Sequence, residues 1–289
     1  MAAPLDDAAR SRLTNRPDEG TIDNGATVSQ LRFLARALAE TNDERARDAA
    51  MKGLDYLLAA QYETGGWPQI WPNPRGYHAH ITFNDNAMAG VLMLLRDVSL
   101  GAAPFDFVDP RRRRTASAAI AKGIDCILKC QVIVDGRRTV WCAQHDEKTF
   151  APAAARAYEV VSLSGSESVG LVRVLMSVEQ PSPEIVAAVR SAVEWLDAVK
   201  IQGIRVTNVQ TTEGSDRIVV ADAAAPPLWA RFYEIGTNRP IFTGRDGIVR
   251  YGFAEIERER RTGYAYYGNW PLRLIAREFP AWAAKRGGK

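Results

Sequence analysis

Apolar residues recur at helical spacing through the first two thirds of the chain. Val28, Leu31, Leu34, Ala35 and Leu38 form one stripe over residues 27–40, the 3.6-residue period of an amphipathic helix. Gly53, Leu54, Leu57, Leu58 and Gln61 repeat that period in the next segment, and Ala87 to Val98 is a nearly continuous apolar run. Between the last two, Gly65 and Gly66 end the helix, and Pro68, Pro72 and Pro74 hold the following loop extended. Asn24 or Thr27 is expected to cap the first helix, and Asn84, Asp85 and Asn86 the apolar run. From about Ile204 the pattern changes to β-like alternation, followed by aromatic, Pro- and Gly-rich segments that predict short strands and irregular coil.

The helical part repeats. Lys52-Gly53-Leu54-Asp55 is echoed by Lys122-Gly123-Ile124-Asp125, and Gln61 by Gln131, each nine residues further on; Trp67 has a looser counterpart in Trp141. A third copy begins at Ser191, with no glutamine and no tryptophan expected after it. Each copy follows another helix-like run (27–40, 85–98 and 166–178), so three helical hairpins joined by long loops are predicted, each needing its neighbours to bury a core. Asp135-Gly136 between Val-rich runs predicts a β-hairpin inside the second loop. The expected division is a helical region over 1–203 and a strand/coil region over 204–289, together one unit with an open groove.

Composition narrows the function. With 289 residues and 46% apolar content there is ample material for a core, and the net charge of +3 points to no nucleic-acid partner. The run Arg111 to Arg114 has no interleaved aromatics and reads as a solvated helix start. No apolar run approaches the length of a membrane span. The first residues, MAAPLDDAARSRL, lack a signal peptide's apolar core, which leaves a cytosolic protein or a chain whose leader has been removed. Of three cysteines, Cys130 and Cys142 are able to pair if the loop folds back, with Cys126 then free. Three histidines, with His78 and His80 read as loop residues, make structural zinc a poor reading. Residues 1–23, polar and Ala-rich, are expected on the surface.

Charge distribution carries more than net charge. Between Arg217 and Arg261 there are eight arginines and no lysine, a bias suited to planar, two-toothed recognition of carboxylates. Arg231 sits in an aromatic-apolar segment, where a charge needs a partner or a ligand, and Arg173 raises the same question inside an apolar run. Arg245, in a Thr-Gly-Arg-Asp-Gly turn, is expected to hold its guanidinium toward an anion. Asp85, after the first long loop, and Asp146, within the second, are expected to converge. Two such carboxylates suit a hard cation such as calcium, or the acid/base pair of an inverting glycosidase. The bland alternatives are a helix cap for Asp85 and a turn residue for Asp146.

In order along the chain, GGWPQ, ITFND, QHD, SLSGSES and PLWARFYEIGTNRPIF resemble the pectate lyases of polysaccharide lyase family ten. The resemblance runs from about Lys52 to Trp270. It implies a mainly α fold, an (α/α)₃-type barrel or partial toroid of hairpins with a groove, and calcium-dependent anti-β-elimination of polygalacturonate. It further implies calcium or substrate-bridging roles for Asp85 and Asp146, and a catalytic arginine among Arg231, Arg217 and Arg245. Arg173, Arg239 and Trp67 become substrate contacts, and the protein is expected to be a secreted monomer without nucleic-acid or membrane partners. Two rival readings remain: an inverting hydrolase using Asp85 and Asp146, and a non-catalytic glycan-binding module.

Overall fold

The computed structural model describes residues 20–286; the surface placement expected for the first residues lies mostly outside that range. Six helices form the predicted three antiparallel hairpins: α1 Ala26–Thr41 with α2 Glu44–Ala59, α3 Ala87–Leu100 with α4 Pro110–Cys130, and α5 Glu167–Met176 with α6 Pro183–Ala198. The fold is mainly α. The inner helices α1, α3 and α5 pack on one another through α3, and the outer helices α2, α4 and α6 pack in series. This is why α3 is apolar almost all round: Ala87, Met88, Val91, Leu92, Leu94, Leu95 and Val98 are all buried. Among the described residues no helix is long and apolar enough to cross a membrane.

Outer and inner helices start differently. The outer ones are capped by side chains: Asp43 accepts from the Arg45 N–H, Asp109 from Arg112, and Ser182 from Ile185. Pro110 and Pro183 occupy the first turn, where no N–H is missed. The inner helices α1 and α3 have no side-chain cap, contrary to the expectation for Asn24, Thr27 and Asn84 to Asn86. Each instead enters from two consecutive left-handed residues: Asn24 (φ 48°) and Gly25 (φ 68°) before α1, and Asp85 (φ 49°) and Asn86 (φ 59°) before α3. Thr21-Ile22-Asp23-Asn24-Gly25 and Thr82-Phe83-Asn84-Asp85-Asn86 are thus two copies of one turn. Their polar side chains are left free of capping duty.

The repeat is held by equivalent hydrogen bonds. Trp67 Nε1 donates to Leu57 O at 2.7 Å and Trp141 Nε1 to Ile127 O at 2.7 Å, so each loop is pinned to its own outer helix. The third copy, read as lacking a tryptophan, has one. Trp229 Nε1 donates to Leu196 O at 2.6 Å, from much further along the chain. Gln61 Nε2 reaches Gly65 O and Ala119 O, both at 2.9 Å; Gln131 Nε2 reaches Thr139 O at 2.9 Å and Ala188 O at 3.0 Å. Each glutamine therefore ties its loop to the next outer helix. Gln131→Leu removes both bonds and leaves the Thr139 carbonyl without a donor, and is expected to cost about 2 kcal/mol, read as a lower urea midpoint with unchanged slope.

The loops are joined at one end by short antiparallel pairs, Ile81–Thr82 with Gln144–His145 and Leu163–Ser164 with Phe232–Tyr233. The Asp135-Gly136 hairpin forms as predicted, both residues left-handed. Beyond α6 the chain makes a long hairpin, β1 Ile204–Thr211 and β2 Gly214–Ala221. It then coils around a separate aromatic cluster of Phe232, Phe242, Phe253 and Tyr266 with Ile241 and Ile256. All three cysteines are buried free thiols, so the possible Cys130–Cys142 bond is not formed.

Candidate functional site

Where the inner-helix N-termini meet the C-terminal coil lies a polar cavity of about 390 Å³. The helical region contributes Asp23, Asn24, Gln69, Asn84, Asp85, Gln144, Arg156 and Glu159, and the C-terminal region Arg231 and Tyr264. Arg231 is its anchor. Its backbone is tied to both regions, the N–H donating to Tyr266 O at 2.7 Å and the carbonyl accepting from the Gly165 N–H at 3.0 Å. Its side chain is 9% exposed, and Nη2 donates to Asp85 Oδ1 at 2.9 Å, to Asn84 Oδ1 at 3.2 Å and to Glu167 Oε1. The Tyr264 ring covers the guanidinium at 4.7 Å, a favourable cation–π distance. Nε is buried without a partner.

Burial works against the Arg231 charge, but the carboxylates of Glu167 and Asp85 outweigh it and raise the pKa above its ordinary value. Arg231 is therefore a fixed cation. Glu167 is 1% exposed and also bonded by Ser164 Oγ, which accepts from its N–H at 3.0 Å and donates to its carboxylate. Glu167 opens α5 as Asp85 precedes α3, so two repeats supply the two carboxylates that clasp one arginine.

A second arginine lies on the same cavity. Arg156 Nε donates to Glu159 Oε2 at 2.7 Å, and Tyr264 OH donates to Glu159 Oε1 at 2.9 Å. Burial pushes the Tyr264 phenol far up, so it remains a neutral donor. Arg156 is 41% exposed at its side chain, against 9% for Arg231. The wall thus holds one buried and one reachable guanidinium, linked through Glu159 and Tyr264.

The other predicted residues are dispersed. Asp146 does not line this cavity. Its Oδ1 accepts from the N–H of Thr149 at 2.7 Å, Thr149 Oγ1 at 2.8 Å and the N–H of Lys148 at 3.0 Å, and these bonds, Thr149 first, hold the carboxyl below its usual range. It groups with His80 and Glu147, ligand-type atoms of the three lying within 4.8 Å of one another. Neighbouring His145 is structural. Its Nε2 accepts from the Cys142 N–H, so Nδ1 carries the proton to Phe150 O, and burial pushes its pKa down to about 4.

Arg217 reaches Tyr264 O at 3.3 Å from β2, outside the cavity lining. Arg245 is an exposed surface pair with Glu259 at 2.9 Å, Arg173 pairs with Glu278 at 2.7 Å, and Arg239 lies over the Tyr251 ring at 3.6 Å. Trp67, expected on the sugar, is fully buried in the core. Arg156, Glu159, Tyr264 and Asp23 carried no site signal in the sequence reading. Glu167 had one, the S-x-x-E spacing from Ser164 that marks a helix start.

The sequence model of the pectic acid lyases matches residues 3–275. The chain belongs to that family. It is a polysaccharide lyase, similar to the family 10 polysaccharide lyase of Cellvibrio cellulosa at 39% identity and TM-score 0.84, with 94% of this chain and 82% of the relative covered. An aspartate-to-alanine variant of that enzyme, solved in complex with trigalacturonic acid, matches equally well, with 93% and 82% covered. No curated protein sequence matches the chain.

Proposed function

We propose that this lyase cleaves α-1,4-linked polygalacturonate by calcium-dependent β-elimination, in the cavity built around Arg231. The observation that carries the reading is the buried Arg231, clasped by Asp85 and Glu167 beside a second, reachable arginine. The trigalacturonic acid held by the structural relative supports the same substrate class. The three hairpins read as an (α/α)₃-type partial toroid, and regions 1–203 and 204–289 as one catalytic unit, because the cavity draws on both.

The calcium requirement follows from charge. Asp23, Asp85 and Glu159 line the cavity, and Glu167 stands behind them, against the two guanidiniums of Arg156 and Arg231. That is an excess of two negative charges where a polyanion must bind. The donors are carboxylate and amide oxygens, as a hard divalent cation prefers, with Asp85 and Asn84 the residues that would hold it beside Arg231. When bound, calcium neutralises the substrate carboxylate and so acidifies the C5 proton.

The chain's own groups do the rest. Arg231 stabilises the charge that builds as the C5–H bond breaks, being fixed before the reaction begins. Arg156, reachable and on the same wall, would take the C5 proton in its neutral form, after giving up a guanidinium proton to solvent. Glu159 opposes that loss by raising the Arg156 pKa, and Arg231 with a bound cation beside it favours it. The electron pair left at C5 forms the C4–C5 double bond, the C4–O4 bond breaks, and O4 departs with a proton drawn from solvent. Arg217 and Arg245 lie outside this arrangement. An inverting hydrolase would need its acid and base carboxyls to face one substrate, but Asp85 is ion-paired with Arg231 and Asp146 does not line the cavity. Products from polygalacturonate test the reading: elimination gives new reducing ends together with an ultraviolet-absorbing double bond, and reducing ends without absorbance overturn it.

A further inference from the structure

We infer that a second groove, lined by Arg217, Ile218, Val219 and Tyr251, binds a further stretch of the polyuronate chain outside the catalytic cavity and without need of a cation. The groove, of about 570 Å³, lies between β2 and residues 251–254. Among the described residues it shares no lining residue with the cavity around Arg231. Tyr264 joins the two: its ring covers Arg231 in the cavity, and its carbonyl accepts from Arg217 Nη1 at 3.3 Å.

The charge of this groove is opposite to that of the cavity. Asp216, Arg217 and Arg261 are the charged residues of its wall. Arg261 takes both Asp216 oxygens, at 3.0 and 2.6 Å, and its Nη1 is held by the Ala254 and Ile256 carbonyls. Arg217 has no carboxylate partner among the described residues, and the Tyr264 carbonyl is the one acceptor its side chain meets. One planar cation is therefore left over, suited to a uronate carboxylate. The rest of the wall is apolar and open: Ile218 and Val219 are each 37% exposed and Tyr251 44%, the kind of cluster that marks a binding surface. The Tyr251 ring is held in place, its OH donating to Glu234 Oε1 at 2.8 Å and Arg239 lying over it at 3.6 Å. An uncompensated cation beside an apolar floor matches a polyuronate, whose sugar rings have apolar faces and carry one carboxylate each. A neutral glycan would leave Arg217 unpaired.

The inference rests on the polygalacturonate reading above for its ligand. A chain held here stays near the cavity, so long chains gain more from the groove than short ones. Electrophoresis of the full chain through gels containing polygalacturonate, with excess chelator to suppress elimination, reads the binding alone. Wild type is expected to be retarded. Arg217→Ala should weaken that binding about fivefold and Tyr251→Ala about threefold, through the lost charge and the lost ring. Arg245→Ala, which removes the same charge from outside the groove, should bind as wild type does. With calcium present, Arg217→Ala should raise KM for the polymer several-fold and leave the kinetics on trigalacturonate unchanged. Thermal melts of each variant separate lost binding from lost folding. Unretarded wild type, unchanged binding in both groove variants, equal losses in Arg217→Ala and Arg245→Ala, or an equal fall in turnover on trigalacturonate and polymer overturns the groove. Retardation lost in the groove variants while no double bond forms in any of them, wild type included, fails the lyase reading and leaves the groove standing.

Discussion

Replacing Arg231 with alanine is expected to remove eliminative activity, by at least ~10³-fold in kcat/KM, and to weaken the fold in the same step. The side chain is 9% exposed and shares its charge with Glu167, which is 1% exposed. Truncating one partner of a buried pair strands the other, at a cost of about 3–5 kcal/mol. Asp85 suffers less because 32% of its side chain meets solvent. Arg231→Lys separates the two effects. The charge survives, so stability should recover in part. Activity should stay at least ~10²-fold down, since an ammonium does not reproduce the planar guanidinium clasped between two repeats and covered by Tyr264. Urea unfolding and initial rates of double-bond formation read the two arms. A lysine variant with near-normal turnover takes Arg231 out of the machinery.

Arg156→Lys is expected to lower kcat by ~10²-fold or more, the scale of a displaced acid/base group, while stability and KM change little. Arg156 is reachable from the cavity, and lysine keeps a cation beside Glu159, so the buried carboxylate is not stranded. A lysine nitrogen sits differently from the guanidinium, however, and the proton-transfer geometry is lost. The kcat–KM split is the informative part. A pure rise in KM makes Arg156 a substrate contact, and an unchanged kcat assigns the proton to another group.

The helical region was legible because periodicity and spacing are local: three hairpins, two Gln/Trp copies and the Asp135-Gly136 turn are all visible in short windows. Trp229 was missed because its partner, Leu196, lies across the whole β1–β2 hairpin. The cap expected of Asn84 to Asn86 failed for a physical reason. Two left-handed residues turn the chain into α3, and the Asp85 carboxylate goes to Arg231, 146 residues away. Arg231 itself was legible as a charge among aromatics. Arg245 was not distinguishable from it by residue type, since its surface partner Glu259 emerges only on folding. Arg156 and Glu159 meet Tyr264, 105 residues beyond Glu159, which no local pattern reveals. Trp67 was read from its ring alone, but its loop folds back and buries the ring against its own outer helix.

The most direct test of the whole account is ultraviolet absorbance of polygalacturonate mixed with the protein, first with calcium and then with excess chelator. A rise that requires calcium and stops on chelation is expected. A rise indifferent to chelator contradicts the charge argument, and no rise in the presence of calcium contradicts the proposed reaction.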